Sequence, residues 1–209
     1  MTPGTVGELR WRRMVQAVER ELERLRVPSA WLWRWRLRRR IVLVGPMGCG
    51  KSTVGRELAR LVGCAHLDAD TVFVQAHGPI PEYFAEHGEP AFRRAEEDVM
   101  AHLLSRHRPF VLSCGGGAVL SAATRRRLVE SNDLVVHLDV ATADALRRVR
   151  GGQGRPALKG DPQGNWERLR NERDHFYREV ADVTIDTTGL SSQDVAWRIV
   201  DTVRHRKKE

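Results

Sequence analysis

The chain has 209 residues, 41% of them hydrophobic, and a net charge of +8. No apolar run approaches the roughly 20 residues of a bilayer-spanning helix, and no secretory signal core follows Met1, so membrane and secreted classes are not expected. The three cysteines lack the spacing of disulfide or metal sites and are typical of cytosolic thiols. The sequence therefore predicts a cytoplasmic protein with one domain, residues 41–209, and an N-terminal extension, residues 1–40.

The extension has a composition of its own. An apolar stripe at helical spacing precedes Pro28, and a run in which Trp and Arg alternate follows it. The members of the stripe are Trp11, Val15, Val18, Leu22 and Leu25. This pattern favours a helix that packs on the domain or self-associates. Nucleic-acid or membrane contact through the extension is the alternative, since Trp and Arg suit stacked bases and anionic headgroups. We expect a monomer.

From residue 41 onward, apolar runs alternate with helical patterns. Strands are predicted at residues 41–44, 64–67, 109–113, 134–138 and 183–185. Helices are predicted at residues 51–62, near 92–106, and at 121–130, 142–150, 165–180 and 192–205. Such alternation predicts an α/β fold, a five-stranded parallel sheet with helices on both faces. Ligands of these sheets bind at the carboxyl ends of the strands, where the motifs described next fall.

A glycine-rich loop follows the first strand. Residues 45–52, GPMGCGKS, match the P-loop pattern and lie between a buried strand and an amphipathic helix. Glycines let backbone N–H groups curl around an anion, and the helix start adds its positive dipole end. Lys51 is placed to reach the outer phosphates, and the Ser52 hydroxyl to hold Mg²⁺. The sequence therefore predicts binding of a nucleoside triphosphate.

Other motifs suggest where the phosphate acceptor binds. Asp68 and Asp70 follow the second strand, where the first can hold Mg²⁺ through water and the second can orient or deprotonate a hydroxyl. Three glycines, residues 115–117, end the third strand and let backbone approach a ligand closely. Residues 151–164 have the composition of a mobile lid from which Arg155 could swing over the phosphates, although an ordinary surface loop explains that composition equally well.

In combination these motifs resemble the shikimate kinase family, over residues 41–204. The segments that carry the resemblance are GPMGCGKST, DAD, IPEYFAEHGEPAFRRAEE, CGGGAV, the lid pair RP, and YREVADVTIDT. The resemblance implies a P-loop kinase fold with a mobile lid. It also implies phosphorylation of the shikimate 3-hydroxyl by ATP, with Mg²⁺ as cofactor, in aromatic amino-acid biosynthesis.

The resemblance also implies roles for individual residues. Those implied in catalysis are Lys51, Asp70 and Arg155. Those implied in ATP binding are Gly48, Cys49, Gly50, Lys51, Ser52, Thr53, Arg148 and Arg155. Those implied in substrate binding are Asp70, Phe84, Phe92, Arg93, Gly115, Gly116, Gly117 and Arg173, with Ser52 and, through water, Asp68 at the metal. Two guanidinium groups on one carboxylate fix its orientation, and Glu96, at i+3 from Arg93, is placed to hold the first of them.

The sequence departs from the family pattern at a few points. His175 replaces the proline of an Arg-x-Pro-Leu-Tyr motif, which either moves Arg173 or extends its helix through Tyr177. Ala157 replaces a lid leucine, and residues 187–192 lack a proline. Two alternatives stay open: a related kinase acting on an aminoshikimate or gluconate-like acid, and a non-catalytic ligand sensor whose extension binds DNA or a partner.

Overall fold

The computed structural model describes residues 16, 39–106, 108–149, 158 and 160–205. The predicted stripe and the Trp/Arg run of the extension lie outside the described residues. Most of the predicted lid, including Arg155, lies outside them as well.

Five parallel strands form one sheet, as predicted. They are β1 (Ile41–Val44), β2 (Ala65–Asp68), β3 (Phe110–Ser113), β4 (Leu134–Asp139) and β5 (Val183–Asp186), in the order β2-β3-β1-β4-β5. β1 is central and buried along its whole length, which explains its unbroken apolar sequence. The carboxyl end of β1 therefore opens between β3 and β4, where the chain order of the sheet reverses and ligands are expected.

Helices cover both faces of the sheet. The described residues include α1 (Lys51–Val62), α2 (Ala69–His77), α3 (Ile80–Leu104), α4 (Ala122–Glu130), α5 (Thr142–Val149), α6 (Pro162–Val180), α7 (Ser192–His205) and a short 3₁₀ helix (Ala118–Leu120). Alternate residues of β1 enter two separate cores. Val42 and Val44 pack with α2 and α3, whereas Ile41 and Leu43 pack with α1 and α7. Among the described helices, none is long and apolar enough to cross a membrane.

Two helical segments were not predicted from the sequence. α2 begins directly after β2 because the Asp68 side chain caps it, accepting from the backbone N–H groups of Asp70 (3.1 Å) and Thr71 (3.3 Å). α3 begins at Ile80, well before the predicted residue 92, with Pro81 in its first turn. It is interrupted at Gly88, whose φ of 74° and ψ of 170° are not helical.

α6 differs from the prediction at its start. The helix begins at Pro162, so the last residues assigned to the lid form its first turn, capped by Asp161, which accepts from Gly164 N at 3.0 Å. It continues without a break to Val180. The histidine that replaces the family proline therefore lies inside a helix that extends through Tyr177.

Arg40 connects the segment before β1 to two other elements. Its Nε donates to Asp133 Oδ1 at 2.8 Å, and its Nη1 donates to the carbonyls of Leu103 (3.2 Å), Leu104 (2.6 Å) and Arg106 (2.8 Å). The carbonyls of Leu103 and Leu104 belong to the last turn of α3, where backbone acceptors lack i+4 helical partners, and that of Arg106 follows the helix. Arg40 thus closes the C-terminus of α3 and fixes the chain as it enters the sheet. The boundary at residue 40 stays a prediction.

Candidate active site

The P-loop has the geometry predicted for it. Its residues between β1 and α1 include three glycines with positive φ: Gly45, Gly48 and Gly50. At Gly48 a side chain is excluded, because an added Cβ would lie 2.7 Å from the carbonyl oxygen of Ala145. The Lys51 ammonium lies over the loop and donates to the carbonyls of Gly45 (2.8 Å) and Pro46 (3.0 Å). The loop is therefore closely packed around a cation at the start of α1, an arrangement suited to phosphates.

The other predicted residues of the loop also lie at the start of α1. Cys49 is fully buried beneath the loop, Gly50 precedes the helix in the left-handed conformation, and Thr53 is exposed in the first turn. The first turn itself contains no acidic residue, which favours an anion at its N–H groups.

Ser52 and Asp68 form a pair at the metal position suggested by the sequence. Ser52 Oγ donates to Asp68 Oδ2 at 2.6 Å, and Asp68 Oδ1 caps α2. Both carboxylate oxygens are thereby held in place. A hydroxyl and a carboxylate are hard oxygen donors, and such a set fits Mg²⁺, which retains waters and phosphate oxygens in its shell.

A hydrogen-bonded relay from the sheet positions the first turn of α1. Ser113 Oγ donates to the Lys51 carbonyl at 2.9 Å, and His66 Nε2 lies 2.9 Å from the same Ser113 oxygen. Burial lowers the pKa of His66. Because Ser113 gives its proton to the Lys51 carbonyl, its oxygen is left to accept from the tautomer of His66 that is protonated at Nε2. Neither residue was singled out from the sequence, because the relay joins positions 47 residues apart.

The first glycine of the triplet borders two carboxylates. A Cβ added at Gly115 would lie 2.8 Å from Asp70 Oδ1 and 2.7 Å from Glu96 Oε1, so only glycine allows these groups to approach the backbone. Asp70 is on the exposed side of α2, whereas Glu96 is buried. Burial raises the pKa of Glu96, an effect that the adjacent Arg93 partly offsets.

Arg93 lies against the third glycine. Its guanidinium occupies the space that a side chain at Gly117 would need. Nη1 donates to Glu96 Oε2 at 2.8 Å, which is the contact expected from the i+3 spacing. Nε and Nη2 donate to Glu89 at 3.3 and 3.2 Å. Two carboxylates therefore fix the first of the two arginines.

Arg173 reaches the middle glycine from α6. Its Nη1 donates to the Gly116 carbonyl at 3.3 Å, and Tyr177 donates its hydroxyl to the same oxygen at 2.6 Å. Burial raises the pKa of Tyr177, so the phenol remains a donor. Within the described part of the chain, the buried Arg173 Nε has no hydrogen-bond partner. Among these residues, the guanidinium therefore bonds to the triplet through Nη1, at the Gly116 carbonyl.

The two phenylalanines differ in their surroundings. Phe92 is 8% exposed and belongs to the core, where its ring supports the Arg93 guanidinium at 5.1 Å from the ring centroid. Phe84 is 41% exposed, with its ring 5.7 Å from that of Phe92. The predicted apolar wall therefore consists of one exposed ring backed by one buried ring.

Arg148 acts as a brace between the P-loop and the loop after β5. It donates to the Thr187 carbonyl at 2.8 Å, to Thr187 Oγ1 at 3.1 Å and to the Gly48 carbonyl at 3.4 Å. Thr187 Oγ1 in turn lies 3.2 Å from the Cys49 carbonyl. Thr187 was not singled out from the sequence, where a lone threonine after a strand carries no signal.

Comparison with known proteins decides the family. A family model described as shikimate kinase matches residues 47–204. Shikimate kinase of Halorhodospira halophila (strain DSM 244 / SL1) is 44% identical over 172 residues, covering 81% of this chain and 96% of that protein. The chain belongs to the shikimate kinase family.

The structural comparison agrees with this assignment. The structure of shikimate kinase from Acinetobacter baumannii in complex with shikimate matches with a TM-score of 0.79 at 37% identity, covering 87% of this chain and all of that one. The shikimate kinase of Streptomyces avermitilis is 40% identical over 165 residues. The predicted family, the α/β P-loop kinase fold and the enzyme class are thus confirmed. As a shikimate kinase family member, the chain is an ATP-binding phosphotransferase.

Proposed function

We propose that this chain transfers the γ-phosphoryl group of ATP to the 3-hydroxyl of shikimate, and that the residues described above do so in the roles assigned to them. The observation that carries this proposal is the convergence of Asp70, Arg93 and Arg173 on the glycine triplet, directly beside the P-loop. A Cβ added at Gly116 would lie 3.9 Å from both Gly45 O and Met47 N. Donor and acceptor sites are therefore contiguous, as in-line transfer requires.

On the nucleotide side, the loop N–H groups and the start of α1 hold the phosphates. Lys51 exchanges its loop carbonyls for the outer phosphates and neutralises charge that develops in transfer. Arg148 flanks the nucleotide base. Arg155 approaches the phosphates from the lid, a role that stays a prediction for a residue outside the described part of the chain.

Ser52 and Asp68 would hold Mg²⁺, the serine directly and the aspartate through water. That ion would supply positive charge to offset the negative charge of the phosphates. The protein's own contribution is the fixed 2.6 Å contact between Ser52 and Asp68, which keeps two oxygen donors together at the phosphate end of α1.

On the acceptor side, the shikimate carboxylate pairs with Arg93 and Arg173. The ring lies along the glycine backbone, against Phe84. Asp70 accepts a hydrogen bond from the 3-hydroxyl and takes its proton as the hydroxyl oxygen bonds to the γ-phosphorus. The bond from that phosphorus to the β–γ bridging oxygen breaks, and ADP leaves with the electron pair.

The decisive experiment is an ADP-release assay that offers shikimate, quinate and gluconate in parallel. Turnover that depends on shikimate supports the proposal. Preference for gluconate would instead indicate the alternative polyol-acid kinase. Absence of turnover with shikimate binding retained would indicate a ligand sensor. The extension, residues 1–40, supplies no group to this chemistry, and the monomeric state and cytoplasmic location stay predictions.

A further inference from the structure

One face of α6 contacts both halves of the active site. The residues at positions 166, 170, 173 and 177 follow the i, i+4, i+7 spacing that places side chains on one side of a helix. Trp166 and Tyr177 are almost completely buried. Each of the four side chains donates a hydrogen bond to a group at the carboxyl edge of the sheet.

The N-terminal end of this face holds the P-loop. Trp166 Nε1 donates to the Met47 carbonyl at 2.8 Å, and its ring is 2% exposed. One turn later, Arg170 donates to both oxygens of Asp139 at 2.9 and 3.0 Å, at the end of β4. These contacts join the N-terminal half of α6 to the nucleotide loop and to the end of β4.

The C-terminal end of the face holds the acceptor backbone, through the bonds from Arg173 and Tyr177 to the Gly116 carbonyl. Gly116 also lies near Met47, since a Cβ added at Gly116 would be 3.9 Å from Met47 N. Trp166 thus bonds to Met47, Met47 lies near Gly116, and Gly116 accepts a hydrogen bond from Arg173 on the same helix. The nucleotide loop and the glycine triplet are therefore connected through α6.

We propose that Trp166 is a positioning residue that couples the nucleotide loop to the acceptor arginine Arg173. This inference rests on the proposed function. A nucleotide that fixes the Met47 carbonyl also fixes Trp166, and the rigid helix between residues 166 and 173 transmits that constraint to the Arg173 guanidinium. Nucleotide binding consequently pre-orders one of the two groups that hold the acceptor carboxylate. Linkage requires the reverse effect on the nucleotide to be equal.

The test is the affinity of shikimate measured by calorimetry, without nucleotide and with saturating ADP and Mg²⁺. In the wild-type chain we expect ADP to tighten shikimate binding at least about fivefold, the lower end of typical coupling. Trp166→Phe keeps an aromatic ring but has no donor for the Met47 carbonyl. We expect its coupling to fall below about twofold, with shikimate affinity in the absence of nucleotide changed less than about twofold.

Two further variants separate the hydrogen bond from packing. Site-specific replacement of Trp166 by β-(3-benzothienyl)alanine keeps the bicyclic shape and removes only the N–H, so it should lose coupling as fully as Trp166→Phe but with a smaller fall in melting temperature. Trp197→Phe, at a tryptophan on α7 that is 43% exposed, is the matched control and should keep wild-type coupling.

Wild-type coupling in the benzothienyl variant would overturn the proposal, as would a wild-type chain that binds both ligands independently. The proposal would also be overturned if Trp166→Phe weakened the binding of shikimate alone and of ADP alone equally, while ADP still tightened shikimate binding as in the wild type. A wild-type chain that fails to bind or phosphorylate shikimate would instead refute the proposed function. The wild-type titrations test shikimate binding and the ADP-release assay tests phosphorylation, so this outcome is distinguished from a loss of coupling.

Discussion

Ser52 Oγ and Asp68 Oδ2 are 2.6 Å apart, joining the first turn of α1 to the residue that caps α2. One carboxylate thus serves two purposes with its two oxygens. Oδ2 faces the phosphate end of the P-loop helix, while Oδ1 satisfies backbone N–H groups at the start of the helix that carries Asp70. Substitutions at this position can separate the electrostatic role from the structural one.

Asp68→Asn retains an oxygen for the helix cap but loses the charge. We expect the Mg²⁺ concentration for half-maximal turnover to rise about tenfold or more. Residues that hold a metal ion through its bound water typically contribute at least about tenfold to metal affinity. The melting temperature should change little. Asp68→Ala removes the cap as well and should lower the free energy of unfolding by about 1 kcal/mol. Unchanged metal dependence in both variants would remove Asp68 from the metal site.

Asp70→Asn preserves the shape of the proposed base but not its capacity to accept a proton. We expect turnover to fall about 100-fold or more, the lower range of general-base effects. ATP affinity, measured by calorimetry, should stay within about twofold, because Asp70 borders Gly115 in the acceptor region. A parallel loss of ATP affinity would place Asp70 in the nucleotide site and contradict its assignment.

Arg93→Ala and Arg173→Ala should each raise the KM for shikimate about ten- to a hundredfold, the effect of losing a charge-assisted contact of about 1.5–3 kcal/mol. The KM for ATP should change much less. Lysine should not rescue either position, because a point charge cannot reproduce the two-pronged guanidinium contact. Arg94→Ala, at the exposed neighbour of Arg93, is the matched control. Equal increases in both KM values would argue against a shared carboxylate site.

His137 should make stability depend on pH. Its side chain is buried in β4 against Tyr177, and burial lowers its pKa despite the nearby Asp139 and Asp174. The unfolded chain therefore binds more protons as the pH falls below about 6.5, and stability is lost from there down through the folded pKa. His137→Phe should remove this part of the loss, whereas His175→Phe, at an exposed histidine of α6, should not.

The measurement is the free energy of unfolding in urea between about pH 7.5 and about pH 5. Only the change with pH is compared, since a phenyl ring in place of imidazole also shifts stability by a constant amount. A wild-type and a His137→Phe curve that run parallel across this range would show that His137 does not contribute.

Arg40→Ala should lower the free energy of unfolding by about 3 kcal/mol, because it leaves buried Asp133 and the α3 carbonyls without their partner. Arg39→Ala, one residue earlier, should have little effect. A chain that begins at residue 37 keeps Arg40 and should retain full turnover. Loss of turnover in that shortened chain while it remains folded would show that residues 1–36 complete the active site, contrary to expectation.

Local signals in the sequence were sufficient for the sheet and the P-loop. β1 is a continuous apolar run because both its faces are buried, and GPMGCGKS needs no long-range context. α2 was missed because Asp68 ends a strand and caps a helix at the same residue, so no turn separates the two elements. A cap at Asp68 followed by Val72, Phe73 and Ala76 at helical spacing would have indicated it.

Site residues that act through long-range contacts could not be predicted. Trp166 is 119 positions from its partner Met47, and a tryptophan within a polar helix gives no indication of what its N–H binds. Arg93 and Arg173 were found only through the family resemblance. The two side chains come together at the glycine triplet only because α3 and α6 both pack beside it, and no local sequence pattern specifies that packing.

The break at Gly88 divides α3 into two helical segments. Each residue of an α-helix advances the side-chain direction by about 100°, so an inserted residue rotates the side chains on one side of it relative to those on the other. Arg93 and Glu96 lie on one continuous helical segment after Gly88, and the non-helical φ and ψ of Gly88 separate that segment from residues 80–87. An extra residue between Gly88 and Arg93 would turn the guanidinium away from the triplet, whereas an extra residue before Gly88 leaves the count from the break to Arg93 unchanged. Phe84 and Arg93 thus take their directions from two separate helical segments.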